Sequence, residues 1–315
     1  MKRLIILAVL LIGFLLPEHF MPGDAVGEEW VMSAQAKRKT PKKTRKKSRI
    51  RQTRSRKRRQ SDAGTATATL PLIGTSSLMS TQPGNALLSV DTPRGMNNQT
   101  VNYRAITIYF NSKLRIPNCV AYELTNTMVA MSDAPDAEKR KHHNFNADNR
   151  VAGCPGPNDY KGSGYTRGHM APAMDMRWNR QAMTDCFLMT NMCPQDGKLN
   201  NGGWKDLEEN VHRWAKRDGS LVVLTGPIVA TAPRSAIGPK RDIAVPRAFY
   251  KVVYAPRQQR AIAFIYDNCP PTGGVKSHAV TIDEVERRTG LDFFTALGDD
   301  TERRIEAQCD YSQWR

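Results

Sequence analysis

Three short stretches carry the side chains needed to hydrolyse a phosphate ester. Residues 165–176 read YTRGHMAPAMDM, residues 187–195 FLMTNMCPQ and residues 199–208 LNNGGWKDLE. Together they offer an imidazole (His169), a guanidinium two residues before it (Arg167), two amides (Asn191 and Asn200) and a carboxylate (Glu208). Water attacks a phosphodiester only when something accepts its proton near neutral pH, and an imidazole suits that task. His169 is the candidate base. A hard cation must also offset charge on a non-bridging oxygen and on the leaving oxygen. Mg2+ favours oxygen ligands, keeps several waters and binds few protein groups, so one Asn carbonyl plus waters makes a workable site. Asn200 fits that part, and Glu208 would hold the ion's waters. The planar fork of Arg167 suits a phosphate oxygen. Singly, each residue has a duller use: a lone histidine packs, a lone arginine pairs at a surface, and Asn200 could merely cap a helix. The combination and its order point to hydrolysis.

These groups need elements to aim them. Residues 187–193 have a strand-like composition, and Gly202-Gly203-Trp204 leads into a helix running to about Arg217. At about 100° per residue from Trp204, Val211, Leu207 and Trp214 fall at roughly −20°, −60° and −80°, an apolar stripe. Glu208 and His212 fall at about +40° and +80°, on its edge, half-buried against whatever packs beside the helix. A strand–loop–strand–helix unit would then aim a base and a metal at one phosphate. Elsewhere, residues 103–110 alternate as a strand and residues 119–130 read as a second β-rich run. Residues 132–158 form a long loop, where the adjacent pair His142-His143 is expected to be solvated. Residues 221–229, 249–254 and 260–266 read as buried strands. Thr281 and Glu284 form a capping box opening a short helix that Gly290 closes. Strands in runs, few helices and no regular βα alternation predict an α+β fold with a mainly antiparallel sheet.

Residues 160–210 resemble the DNA/RNA non-specific endonuclease family, the endonuclease G-like ββα-metal nucleases, and a looser likeness runs from about residue 101 to about residue 297. The resemblance implies a ββα-metal (His-Me finger) motif with His169 as general base and Asn200 as direct Mg2+ ligand, Mn2+ being the alternative ion. It further implies that Glu208 sits in the ion's water network, that Arg167 assists at the phosphate and that Asn191 supports the site. DNA, RNA or both would be cut with little sequence preference, leaving 5′-phosphate and 3′-hydroxyl ends. Two positions depart from the family pattern. Thr166 stands where Asp is usual, which should alter loop support without abolishing activity. His212 stands where Arg is frequent, so it is the candidate phosphate contact on that side, when protonated.

The chain has 315 residues and a formal charge of +17, unevenly spread. Residues 37–59 hold 15 Lys or Arg and no acid, which leaves the 256 residues after them with a charge of about +4. That describes a near-neutral enzyme with a basic arm. Lys2 and Arg3 precede an apolar run over residues 4–16, too short for a membrane span of roughly 20 residues. A signal peptide is expected over residues 1–25, with cleavage as late as 36, and hence secretion or delivery to the periplasm or cell envelope; an uncleaved anchor is the alternative. Residues 37–98 read as a disordered arm and linker, leading to a nuclease domain over 99–315. The arm would meet nucleic acid or an anionic surface, or serve as a solvated spacer. Six cysteines leave one or two disulfides or plain buried thiols open, and the absence of CxxC pairs argues against zinc. A homodimer is not deducible. The competing functions are a catalytically weak nucleic-acid or surface-binding protein on the same fold, and a phosphodiesterase for small esters.

Overall fold

The computed structural model describes residues 85–230 and 235–315, so the expected signal peptide, the basic arm and most of the linker lie outside the described residues. A 3-10 turn at Ala86–Leu88 and strand β1 (Val90–Asp91) precede the boundary expected at residue 99. They belong to the body because the Tyr109 hydroxyl donates to the Leu88 carbonyl at 2.9 Å and accepts from the Val90 N–H at 3.1 Å. Strands β2 (Gln99–Asn102), β3 (Thr107–Asn111) and β4 (Ile116–Thr125) follow as an antiparallel meander. The β-rich run expected to reach residue 130 stops at Thr125. Its hydroxyl accepts the Met128 N–H and caps helix α1 (Asn126–Asp133), a local signal that outweighs the apolar composition.

The central segment holds β5 (Thr166–His169), α2 (Ala173–Met176), α3 (Arg180–Cys186), β6 (Met192–Gln195), α4 (Gly197–Asn201) and α5 (Gly203–Asp218). The strand expected over 187–193 is a 3-10 turn at Met189–Asn191 running into β6. Beyond Gly219 come β7 (Ser220–Ile228), β8 (Ala236–Ile237), β9 (Ile243–Ala244), β10 (Ala248–Ala255) and β11 (Arg260–Asp267). The described chain closes with β12 (Ala279–Val280), α6 (Ile282–Thr289), β13 (Asp292–Phe293) and α7 (Asp299–Glu306). Thr281 caps α6 by accepting the Glu284 N–H, and Gly290 ends it at φ +72°, as the sequence predicts.

Seven strands form one antiparallel sheet in the order β12-β11-β10-β7-β4-β3-β2. Both faces are covered. Along β10, Phe249 and Val253 enter one core, while Tyr250 and Val252 enter the other. Central strands therefore read as continuous apolar runs. The first face receives α5, whose Trp204, Leu207, Val211 and Trp214 are all buried, as the stripe predicts. Each such side chain contributes about 1.5–3 kcal/mol by leaving water. The second face receives Ile282 and Val285 of α6, Phe293 of β13 and Ile305 of α7. The architecture is α+β with a mainly antiparallel sheet. All six cysteines are unpaired, with Cys119, Cys186 and Cys193 buried as plain thiols. Among the described residues, no helix is long and apolar enough to cross a membrane.

Candidate active site

Strands β5 and β6 pair apart from the main sheet, with Thr166 opposite Gln195 and His169 opposite Met192. Only glycine fits at position 168, because a Cβ there would collide with the buried Gln195 side chain. Thr166 donates its hydroxyl to the Gln195 carbonyl at 2.9 Å, so this departure from the family pattern still braces the pair.

His169 closes β5 and is 8% exposed. Its ring meets Phe187 edge-on at 5.0 Å and Phe145 at 5.5 Å. Its Nε2 is buried without a hydrogen-bond partner among the described residues. An unmet buried nitrogen costs about 1–3 kcal/mol, which a purely structural histidine would avoid. Burial, followed by the Arg140 charge, pushes its pKa down to about 3, which keeps the ring in its base form at neutral pH.

Asn191 is fully buried and acts on the backbone just after His169. Its Oδ1 accepts the Ala171 N–H at 3.0 Å, and its Nδ2 donates to the carbonyls of Ala171 (2.9 Å) and Cys186 (2.8 Å). Its own carbonyl accepts the Met170 N–H at 3.0 Å. Arg167 is less free than expected. Its Nε and Nη2 donate to the Pro157 carbonyl at 3.0 and 2.6 Å, and its guanidinium lies 5.0 Å from the Phe145 ring centre. Both N–H groups of Nη1 and the second N–H of Nη2 remain for a phosphate.

Asn200 lies on α4, which packs against β5. It caps neither helix: Asp196 caps α4, and Gly202 precedes α5. Its half-exposed amide makes no hydrogen bond among the described residues, which leaves the carbonyl available to a cation. Glu208 is half-buried on α5. Burial raises its pKa, the Lys251 ammonium pulls it back, and the Asp175 carboxylate pushes it up again.

Residues not singled out from the sequence complete the surroundings. Lys251 of β10 is 0% exposed, donates to the Met170 carbonyl at 3.3 Å and sits 4.8 Å from the Trp204 ring centre. It thus holds the backbone beside His169, and its charge acts on Glu208 without a direct contact. Asp175, also wholly buried, accepts the Tyr122 hydroxyl at 3.0 Å and pairs with His212 Nδ1 at 2.8 Å. His212 Nε2 lies 3.2 Å from Asp133. Both ring nitrogens are taken, so His212 is placed to orient Asp175 and has no donor free for the expected phosphate contact. Burial lowers its pKa, but Asp175 and Asp133 more than offset this, and the net shift is upward. His143 also departs from expectation: it stacks 5.9 Å from Phe187 and reaches Glu138 at 3.1 Å, while His142 stays exposed. Arg140, exposed and without an ion pair among the described residues, holds its guanidinium 5.5 Å from the same Phe187 ring. A lone charge inside the apolar strand AFYKVVYA was the one available signal for Lys251. Nothing in the sequence pattern marked Phe145, Phe187 or Arg140.

The sequence model of the DNA/RNA non-specific endonuclease family matches residues 83–300. The chain belongs to that family. The nuclease of Serratia marcescens is 28% identical over 224 residues, covering 68% of this chain and 82% of its own length. Mitochondrial endonuclease G of Homo sapiens is 32% identical over 149 residues, covering 43% of this chain and 50% of its own. The mitochondrial nuclease EXOG of Xenopus laevis is 31% identical over 219 residues, 64% of this chain and 59% of its own. A crystal structure of an EndoG/EndoGI complex superposes with a TM-score of 0.60 at 26% identity, covering 65% of this chain and 89% of that one. The match to the mitochondrial endonuclease G relative spans about half that protein's length. The resemblance read from residues 160–210 and the α+β fold are both borne out.

Proposed function

We propose that this chain is a Mg2+-dependent endonuclease that hydrolyses phosphodiester bonds of DNA, RNA or both with little sequence preference. The observation that carries the reading is His169: a buried imidazole with an unmet nitrogen, on the strand against which α4, the helix that carries Asn200, packs. His169 takes the proton from the attacking water. The oxygens of Asn200 and Glu208 suit a hard cation, Asn200 as ligand and Glu208 through water. Bound there, Mg2+ would offset the negative charge that gathers on the phosphate and the leaving oxygen. Arg140 and the remaining N–H groups of Arg167 are the donors for phosphate oxygens. Asn191 and Lys251 fix the backbone that carries His169. The products carry 5′-phosphate and 3′-hydroxyl ends.

Support comes from family membership and from the names of the relatives, nucleases all. Export through the apolar N-terminal segment is the proposed route, and the relatives named mitochondrial make organelle import the competing one. N-terminal sequencing of the mature protein separates the two. For the activity, purified protein is incubated with plasmid and with RNA, in Mg2+ or in EDTA. Degradation that EDTA and His169→Ala both block is the expected result. Tight nucleic-acid binding with no cleavage in Mg2+ or Mn2+ would replace this reading with the binding-protein one.

A further inference from the structure

Five carboxylates meet at the C-terminal end of the fold, away from the residues above. Asp283 and Glu286 lie on α6, Asp292 on β13, and Glu302 and Glu306 on α7. Ligand oxygens of Asp283, Glu286 and Glu306 lie within 4.8 Å of one another, and so do those of Asp292, Glu302 and Glu306. Among the described residues, none of the five makes an ion pair. The arginines of the two helices have other partners: Arg287 and Arg288 bind Glu284, Arg303 binds Asp300 and Arg304 binds the Gln259 carbonyl.

Glu306 belongs to both groups and supplies the second observation. It is 7% exposed, and its Oε1 is buried with no hydrogen-bond partner. A buried carboxylate without a partner is strongly unfavourable, and four more acids beside it add repulsion. Burial first, then the neighbouring carboxylates, push Glu286 up to about 7 and Glu306 up to about 8, even though Glu286 also accepts the Phe293 N–H at 2.8 Å. Such a cluster is relieved either by protons or by a cation.

We propose that Asp292, Glu302 and Glu306 form a Ca2+ site that ties β13 to α7, with Asp283 and Glu286 of α6 adding negative charge beside it. The three oxygens of this triad, within 4.8 Å of one another, can all lie about 2.3–2.6 Å from a single ion. Ca2+ accepts 6–8 oxygens in flexible geometry, whereas Mg2+ prefers few carboxylates and keeps its waters. No histidine or cysteine joins the cluster, which disfavours zinc and copper. The site serves the sheet face opposite α5, and through the β1–β13 pair it also holds the N-terminal lead-in.

Calorimetric titration of the full chain with CaCl2 tests this, with Asn200→Ala used to remove the catalytic ligand. One Ca2+ should bind at about 10⁻⁴–10⁻³ M. Binding should persist in Asn200→Ala and weaken at least ~10-fold in Glu306→Gln. Should Glu306→Gln fail to fold, the exposed pair Asp283→Asn/Asp292→Asn serves instead. At ten times the Kd, the melting temperature should rise by about 3–6 °C in the wild type and in Asn200→Ala, and not in the carboxylate variants. An unmoved melting temperature and no heat at about 10 mM Ca2+, well above that affinity range, would overturn the proposal. Binding lost in Asn200→Ala but kept in the carboxylate variants would do the same.

Discussion

Replacing Lys251 by methionine keeps most of the side-chain volume and removes its charge. Lys251 is wholly buried, donates to the Met170 carbonyl at 3.3 Å, and is the ammonium whose field opposes the upward shift of Glu208. The substitution leaves the Met170 carbonyl without its donor and Glu208 without a compensating charge, at a cost of about 1–3 kcal/mol. In a domain of this size each kcal/mol moves the melting temperature by about 2–4 °C, so a fall of about 2–12 °C is expected. Adding Glu208→Gln should return part of that loss, with a coupling of about 0.5–3 kcal/mol. Without the ammonium the Glu208 pKa climbs, so the acid limb of kcat against pH moves to higher pH. Thermal melts and plasmid nicking across pH read both effects. A single variant melting within about 2 °C of wild type, less than 1 kcal/mol, with an unmoved pH profile would show that the pair does not operate.

Gly168→Ala forces a Cβ against buried Gln195 and should cost about 1–3 kcal/mol. By shifting His169 it should also lower kcat by about 10²-fold; melts and initial rates check both. Asn191→Ala leaves the N–H and C=O of Ala171 and the carbonyl of Cys186 without partners, at about 1–3 kcal/mol for each group left unsatisfied. Its kcat should fall while KM holds, since Asn191 fixes backbone and touches no substrate. In EGTA, stability should depend on the acidic cluster. Burial and the neighbouring carboxylates push Glu286 up to about 7 and Glu306 up to about 8, above the ordinary 4.5, so the folded state holds extra protons. That contribution is full below about pH 4.5 and is lost as pH rises through 7 and 8. Melts from pH 5 to about 9 should therefore decline in EGTA and flatten with Ca2+.

The residues proposed to carry the chemistry were legible because they lie close in sequence and in a fixed order. His169, Asn200 and Glu208 fall on β5, α4 and α5, and the α5 stripe faces the sheet as its spacing requires. What stayed hidden depends on distant partners. Lys251 reads alone as a solvated charge, and its burial follows only once β10 lies under Trp204. The fate of His212 was set by Asp133 and Asp175, which pattern reading could not bring to it. The early start of the body depends on Val90 pairing with Phe293 at the other end of the chain. Thr125 was visible but undervalued: its cap ended β4 where apolar composition suggested a longer strand.

Single-turnover cleavage of a nucleic-acid duplex as a function of Mg2+ concentration tests the central claim most directly. His169→Ala should lower the rate by about 10²–10⁴-fold and leave the Mg2+ midpoint where it was. Asn200→Ala should move that midpoint to higher Mg2+, because one oxygen ligand is gone. Cleavage by both variants at the wild-type rate and the wild-type Mg2+ midpoint would contradict the assignment of base and ligand.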